Sequence, residues 1–181
     1  MAKLNTEIKQ QLATLSKEKL LEIVQKLATK KDNFDFLMLN YLDKENGEMD
    51  LFNSAMDDIN RLFFKRYKGF AEELQLANML SACTKRINEF TKLSKNKKLE
   101  ADLLVFVLDE AFSYNSKMYG TCFTAFDYRV GQMVKRLVTI LTKKIHEDLV
   151  LDYKEKANFY LSRLHATSDF LDSIYSLPKS I

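Results

Sequence analysis

The sequence predicts an all-α protein of seven or eight helices, and three observations carry that reading. Glycine and proline are scarce, four and one in 181 residues, too few for the tight turns of a many-stranded sheet. Apolar residues recur at three- and four-residue intervals along most of the chain, the period of a helix with one buried face. The longest unbroken apolar run, Leu103-Leu104-Val105-Phe106-Val107-Leu108, has no glycine or proline on its flanks, so a strand there lacks the turns that would bound it. Consecutive long helices with short connections favour antiparallel hairpins, stacked as a solenoid-like array or an irregular bundle. The hairpins share no sequence repeat.

The first helix is expected over Thr6–Ala13, with Leu4, Ile8, Leu12 and Leu15 on one side. Ser16 has the chemistry of an N-cap, and Leu20, Ile23, Val24 and Leu27 mark the inner face of the second helix. Lys30 and Lys31 suit its negative C-terminal pole. Asp32 is placed to cap a third helix with Phe34, Leu37, Met38 and Tyr41 on its inner face. The polar stretch 43–49, which holds Gly47, reads as a loop. It separates an N-terminal helical cluster, 1–43, from a long-helix array, 50–177, within one helical domain, 1–181.

The array opens with an amphipathic helix bearing Phe52, Ala55, Ile59, Leu62, Phe63 and Tyr67, stopped near Gly69. Leu76, Leu80, Cys83, Ile87 and Phe90 define the next, which ends around Ser94. The helix over 96–117 contains the apolar run and is expected to be the enclosed axis of the fold, ending near Gly120. Thr121 starts a long stripe of Phe123, Phe126, Val130, Met133, Leu137, Ile140 and Leu141. Gly131 inside it costs about 1 kcal/mol relative to alanine and implies close approach of another helix. The last helix covers 148–175, with Thr167-Ser168 as its one weak point, and Pro178 closes the ordered part.

Composition excludes several classes of function. The balance of 46% hydrophobic and 29% charged residues is that of a folded chain, not a disordered one. Six consecutive apolar residues fall well short of the roughly 20 that span a bilayer, and no membrane partner is expected. The N-terminus lacks the apolar segment of a secretory signal, which makes the cytoplasm the default compartment. Cys83 and Cys122 stand far apart, so a disulfide scaffold is excluded, and each reads as a small buried residue. The glycines stand singly, which removes phosphate-cradling loops. Neither His146 nor His165 follows a glutamate by three residues, and neither belongs to a zinc-hydrolase motif. No cofactor or metal is expected, and no catalytic set is legible; Asp109 and Glu110, directly after the apolar run, read as residues where the helix meets solvent.

Leu15-Ser16-Lys17-Glu18-Lys19-Leu20-Leu21, then Leu103-Leu104-Val105-Phe106-Val107 with Phe112 and Tyr119-Gly120, resembles a family of small all-helical bacterial proteins of unknown function. The likeness covers residues 15–160. In that family the segment after the Tyr-Gly pair tends to be acidic, and Thr121-Cys122-Phe123 departs from this. The resemblance implies an all-α cytoplasmic domain with no assigned activity, and it transfers no catalytic residue.

Charge is the strongest functional signal. Residues 1–60 carry 8 Lys/Arg against 11 Asp/Glu, a net of −3; residues 61–98 carry 10 against 3, a net of +7; residues 99–181 carry 10 against 11, a net of −1. Arg61, Lys65, Arg66 and Lys68 fall late on one helix, and Lys85, Arg86 and Lys92 on the next, interleaved with Phe63, Phe64, Tyr67 and Phe70. If the two helices pair antiparallel, these residues form a stripe suited to phosphates and bases; otherwise they are a solvated face over an aromatic core. Around the Tyr119 turn, Tyr114, Tyr119, Phe123 and Tyr128 either line a groove for a partner peptide or form a core rim. The expected function is a helical interaction module, non-enzymatic, binding a protein partner or itself as a homo-oligomer. The alternative is nucleic-acid binding through 61–98.

Overall fold

The structure, a computed structural model, describes residues 5–43, 46–113 and 116–181. Among these residues there are nine α-helices and no strand. The chain divides into two compact units, residues 1–49 and 50–181.

The first unit holds α1 (Thr6–Ala13), α2 (Lys17–Ala28) and α3 (Lys31–Leu37). Helices leave their first N–H groups unpaired, and short polar side chains just ahead of them supply acceptors. The Asn5 side chain accepts from the Glu7 N–H at 2.6 Å, and Ser16 from the Lys19 N–H at 3.4 Å. The third helix departs from expectation: Lys30 precedes it without a side-chain cap, and Asp32 sits inside its first turn, where its charge faces the positive end of the helix. Asn33 donates to the Leu27 carbonyl at 2.9 Å, tying α3 to the end of α2. The helix then widens into a π-turn over Met38–Leu42.

The cluster is not closed over a core, contrary to the inner face assigned to α2. Leu20, Ile23, Val24 and Leu27 do share one side, as their spacing requires, but all four are exposed. No residue of α1, α2 or α3 is buried. Helix α4 (Gly47–Phe63) begins inside the loop expected over 43–49. Asp43 is the reason: its carboxylate accepts from the Asn46 N–H at 3.0 Å and its carbonyl from the Gly47 N–H at 2.9 Å, so Gly47 enters the first turn instead of breaking it.

The second unit adds α5 (Glu72–Leu93), α6 (Lys97–Ser113), α7 (Ala125–Lys143), α8 (Glu147–Ser168) and α9 (Asp172–Tyr175). Helices α4 and α5 pair antiparallel: Phe52 meets Phe90 edge-on at 6.2 Å, and further along Asp58 bonds Arg86 at 2.8 Å. Helices α6 and α8 instead lie parallel to each other. Tyr153 donates its hydroxyl to Asp102 at 2.5 Å and, seven residues on in both helices, Tyr160 donates to Asp109.

The run at 103–108 is enclosed as the sequence predicts, with Leu103, Leu104, Val105, Val107 and Leu108 buried and Phe106 packed on Phe63. The hub of the unit, however, is α7. It packs against α5, α6, α8 and α9, whereas α6 packs chiefly on α5, α7 and α8. Burial of a large aliphatic side chain contributes about 2 kcal/mol, so Leu137, Ile140 and Leu141 outweigh the roughly 1 kcal/mol that Gly131 costs the helix. Close approach explains that glycine: a Cβ there would lie 3.0 Å from Ile174 Cγ1 of α9.

Three ends differ from expectation. Helix α6 stops at Ser113 instead of running to 117, and α7 begins at Ala125 instead of Thr121. Between them Tyr119 turns inward and donates its hydroxyl to the Ala111 carbonyl at 2.8 Å. Gly120 then takes φ +70°, with its Cα so close to Thr167 that an added Cβ would lie 2.5 Å from that carbonyl oxygen. A helix cannot make this left-handed, crowded step. At the other end α8 breaks after Ser168, where Thr167-Ser168 marked the weak point, giving α9 as a separate short helix. Residues beyond Pro178 are not frayed, because Leu177 is buried and the Ile181 N–H bonds Asn158 Oδ1 at 2.8 Å. Cys83 is buried as expected; Cys122 is exposed, since it lies in the irregular turn before α7.

Candidate interaction surfaces

The basic residues of 61–98 come together in part. Arg61, Lys65, Lys85 and Arg86 line a groove of about 420 Å³ between α4 and α5, with Asp58, Leu62, Ala82 and Glu89. Antiparallel pairing of the two helices produces this, as the stripe required. The cations are unequal. Arg86 is only 12% exposed, held by Asp58 at 2.8 Å and flanked by Glu89 at 3.9 Å, so it pins the helix pair. Arg61 stands 80% exposed with a loose 3.8 Å contact to Asp58. Among the described residues neither Lys65 nor Lys85 has a carboxylate partner; Lys65 lies over the Tyr67 ring at 5.9 Å.

Arg66 does not line the groove. The helix ends at Phe63, so Lys65, Arg66 and Lys68 belong to the connection to α5 and not to the helix itself. This connection has a fixed shape. Tyr67 donates to the Leu62 carbonyl at 2.9 Å, Asn78 to the Lys68 carbonyl at 2.8 Å and Gln75 to the Gly69 carbonyl at 3.2 Å. Gly69 adopts φ +145°. Phe64 (84%) and Phe70 (110%) stand clear of the protein on either side of the basic residues. Phe63 is the packed one, against Phe106.

Tyr119 is not a groove residue. It is buried, stacked on Phe112 at 5.5 Å and packed against Phe126 at 5.0 Å. Burial raises its hydroxyl well above the usual tyrosine range, with the Asp127 charge adding to this and Arg163 opposing it. The core-rim alternative therefore applies to it. Tyr114 lies outside the described residues. Phe123 and Tyr128 are exposed.

Two polar groupings escaped the sequence reading. Glu100 is buried in α6, where Lys97 bonds it at 2.5 Å and Arg136 of α7 at 2.8 Å; Arg136 also donates to Asn88 of α5 at 2.6 Å. Burial alone would raise this carboxyl, but the bonds from Lys97 and Arg136 outweigh it and hold Glu100 below the usual carboxylate range. The available signal was position: Glu100 precedes Leu103 and Leu104, which begin the apolar run, by three and four residues. Next to this network Thr84, Tyr128, Arg129, Gln132 and Arg136 line a depression of about 330 Å³. Arg129, Gln132 and Arg136 are a polar stripe at helical spacing. The second grouping is Asp127, fully buried, which accepts from Ser168 and from the Gly120 N–H at 3.1 Å. It fastens the turn before α7 to the end of α8.

Among the described residues no group of three or more His, Cys, Asp or Glu is placed to hold a metal ion. His146 caps α8, and His165 contacts Asp169 at 2.7 Å. Burial pushes the Cys83 thiol up to about 12, the opposite of what a nucleophile needs. Among the described residues no helix is long and apolar enough to cross a membrane.

The first unit offers a different surface. Val24 and Leu27 of α2 face Asn33, Phe36 and Leu37 of α3 across a hollow of about 260 Å³. In the same unit Leu20, Leu21, Ile23, Phe34, Tyr41 and Leu42 are also exposed. So many exposed large apolar side chains on helices that bury none of their residues exceed the scattered exposure normal for a folded surface. No family model, curated protein or solved structure matches the chain.

Proposed function

We propose that this chain is a cytoplasmic helical interaction module, acting by binding rather than catalysis, and that it takes a protein partner on the apolar face of α2 and α3. One observation carries the reading: Leu20, Ile23, Val24 and Leu27 form a helical stripe that is exposed, over a hollow shared with Phe36 and Leu37. An amphipathic helix from a partner presents apolar residues at the same spacing and fits such a face. A second copy of the chain is the other occupant of this kind. The paired variant Val24→Asp, Leu27→Asp tests the reading, because both positions are exposed. Sedimentation equilibrium of the intact chain, and affinity capture with wild type and variant as bait, should show association lost in the variant. Equal behaviour of the two proteins, with unchanged circular dichroism, would refute it.

A second reading, nucleic-acid binding through 61–98, is favoured by the convergence of Arg61, Lys65, Lys85 and Arg86 on one groove. Binding to phosphates releases counterions, so affinity should fall steeply between about 50 and 200 mM salt. Absence of any binding at the lower salt ends this reading.

A further inference from the structure

We infer that the α4–α5 groove and the adjoining 64–70 connection form a site for single-stranded nucleic acid, with the groove cations on phosphates and Phe64 and Phe70 as stacking platforms. The inference rests on the nucleic-acid reading and adds to it the strandedness of the ligand and the residues that select it. The basic connection contains no carboxylate: none occurs from Ile59 to Ala71. Lys65 belongs both to this connection and to the groove, so the positive charge runs on from Phe64 toward Arg61 and Lys85. A chain of phosphates can follow such a track. The hydrogen bonds from Tyr67, Asn78 and Gln75 to backbone carbonyls fix the connection before any ligand arrives, which spares the ordering cost of a flexible loop.

The phenylalanines decide the strandedness. Both rings stand free of the protein, and a base face stacks on such a ring whatever its sequence. In a duplex the faces of paired bases are covered by their neighbours, whereas an unpaired strand presents them. An anionic bilayer is the other partner that cations and exposed phenylalanines can meet. It is disfavoured because Glu72 and Glu73 follow Phe70 by two and three residues and a flat anionic surface resting there would meet them. A strand leading along the groove toward Lys85 avoids them.

Fluorescence anisotropy with the intact chain tests this, using a labelled oligothymidylate and a duplex of equal length. The single strand should bind at least tenfold more tightly. Phe64→Ser with Phe70→Ser should lose roughly tenfold or more in single-strand affinity with the salt slope unchanged, since both side chains are exposed and carry no charge. Lys65→Gln with Lys85→Gln should instead flatten the slope by about 1.4, at about 0.7 per phosphate contact. Equal binding of duplex and single strand, with no effect of the phenylalanine pair, overturns the inference and leaves the nucleic-acid reading standing. No binding to either at low salt overturns both. Co-sedimentation with phosphatidylserine vesicles that the phenylalanine pair abolishes and oligothymidylate does not compete would also overturn it, assigning the site to a lipid surface.

Discussion

Replacing Arg136 with methionine should destabilise the second unit by about 2 kcal/mol. Arg136 reaches Glu100 with two nitrogens at 2.8 Å and Asn88 with a third at 2.6 Å. Removing one partner of a buried pair typically costs about 3–5 kcal/mol because the other charge is left without compensation. Here the Glu100 side chain is only 5% exposed, but Lys97 remains 2.5 Å away and Arg136 itself is 27% exposed, so the expected cost falls below that range. Methionine keeps an apolar stem of similar reach, which confines the loss to the charged end. Urea unfolding followed by circular dichroism measures it, and at this chain length the midpoint temperature should fall about 4–8 °C. The pH dependence fixes the cause. Glu100 lies below the ordinary carboxylate range in the folded chain and near 4.3 when unfolded. Its contribution is therefore complete above the unfolded value and fades as pH falls through the folded one. The gap between wild type and Arg136→Met should be full at neutral pH and shrink in acid. A gap under about 0.5 kcal/mol at neutral pH, or one that acid leaves unchanged, would refute the assignment of this network as a compensated buried charge.

Other expectations follow from the packing. Gly120→Ala places a Cβ 2.5 Å from the Thr167 carbonyl oxygen at φ +70° and should cost about 3 kcal/mol in thermal or urea unfolding. Tyr160→Phe removes the bond to Asp109, which keeps Lys156 at 2.6 Å, for a loss of about 1–2 kcal/mol. In an alkaline absorbance titration Tyr119, Tyr153 and Tyr160 should ionise well above the usual tyrosine range, because burial first, and neighbouring carboxylates second, hold their hydroxyls protonated. A thiol reagent at neutral pH should label one cysteine in the native chain, the exposed Cys122. The buried Cys83, pushed up to about 12, should react only on unfolding.

Features written in neighbouring residues were legible in the sequence. Ser16 marked the start of α2, the stripe through Val130 and Leu137 marked α7, and Gly131 announced the close passage of another helix. Features that depend on distant partners were not. Glu100 shares a helix face with Leu103 and Leu104, but its pairing shows only when Arg136, 36 residues on, is brought beside it. The ends of α6 and α7 are set by Tyr119 folding back to Ala111 and Gly120 meeting Thr167, neither of which leaves a periodic trace. The candidate surfaces divide the same way. Charge counting located the basic segment, and antiparallel pairing put four of its cations on one groove. That Arg86 would be spent on Asp58, and that Arg66 would fall beyond the helix end, depend on three-dimensional detail. The apolar stripe of α2 was legible as a stripe; its exposure was not, because periodicity reports which residues share a face and not what lies opposite.

The pair of tyrosine–aspartate bonds between α6 and α8 acts as a key with two teeth. Because the teeth are spaced equally on both helices, sliding one helix past the other by a turn disengages them together. Both carboxylates then lose a donor, and the hydroxyls of two buried tyrosines lose their acceptor. Intermediate registers are thereby penalised as a set, which leaves one alignment of these helices far below its neighbours in energy and makes their separation an all-or-none event.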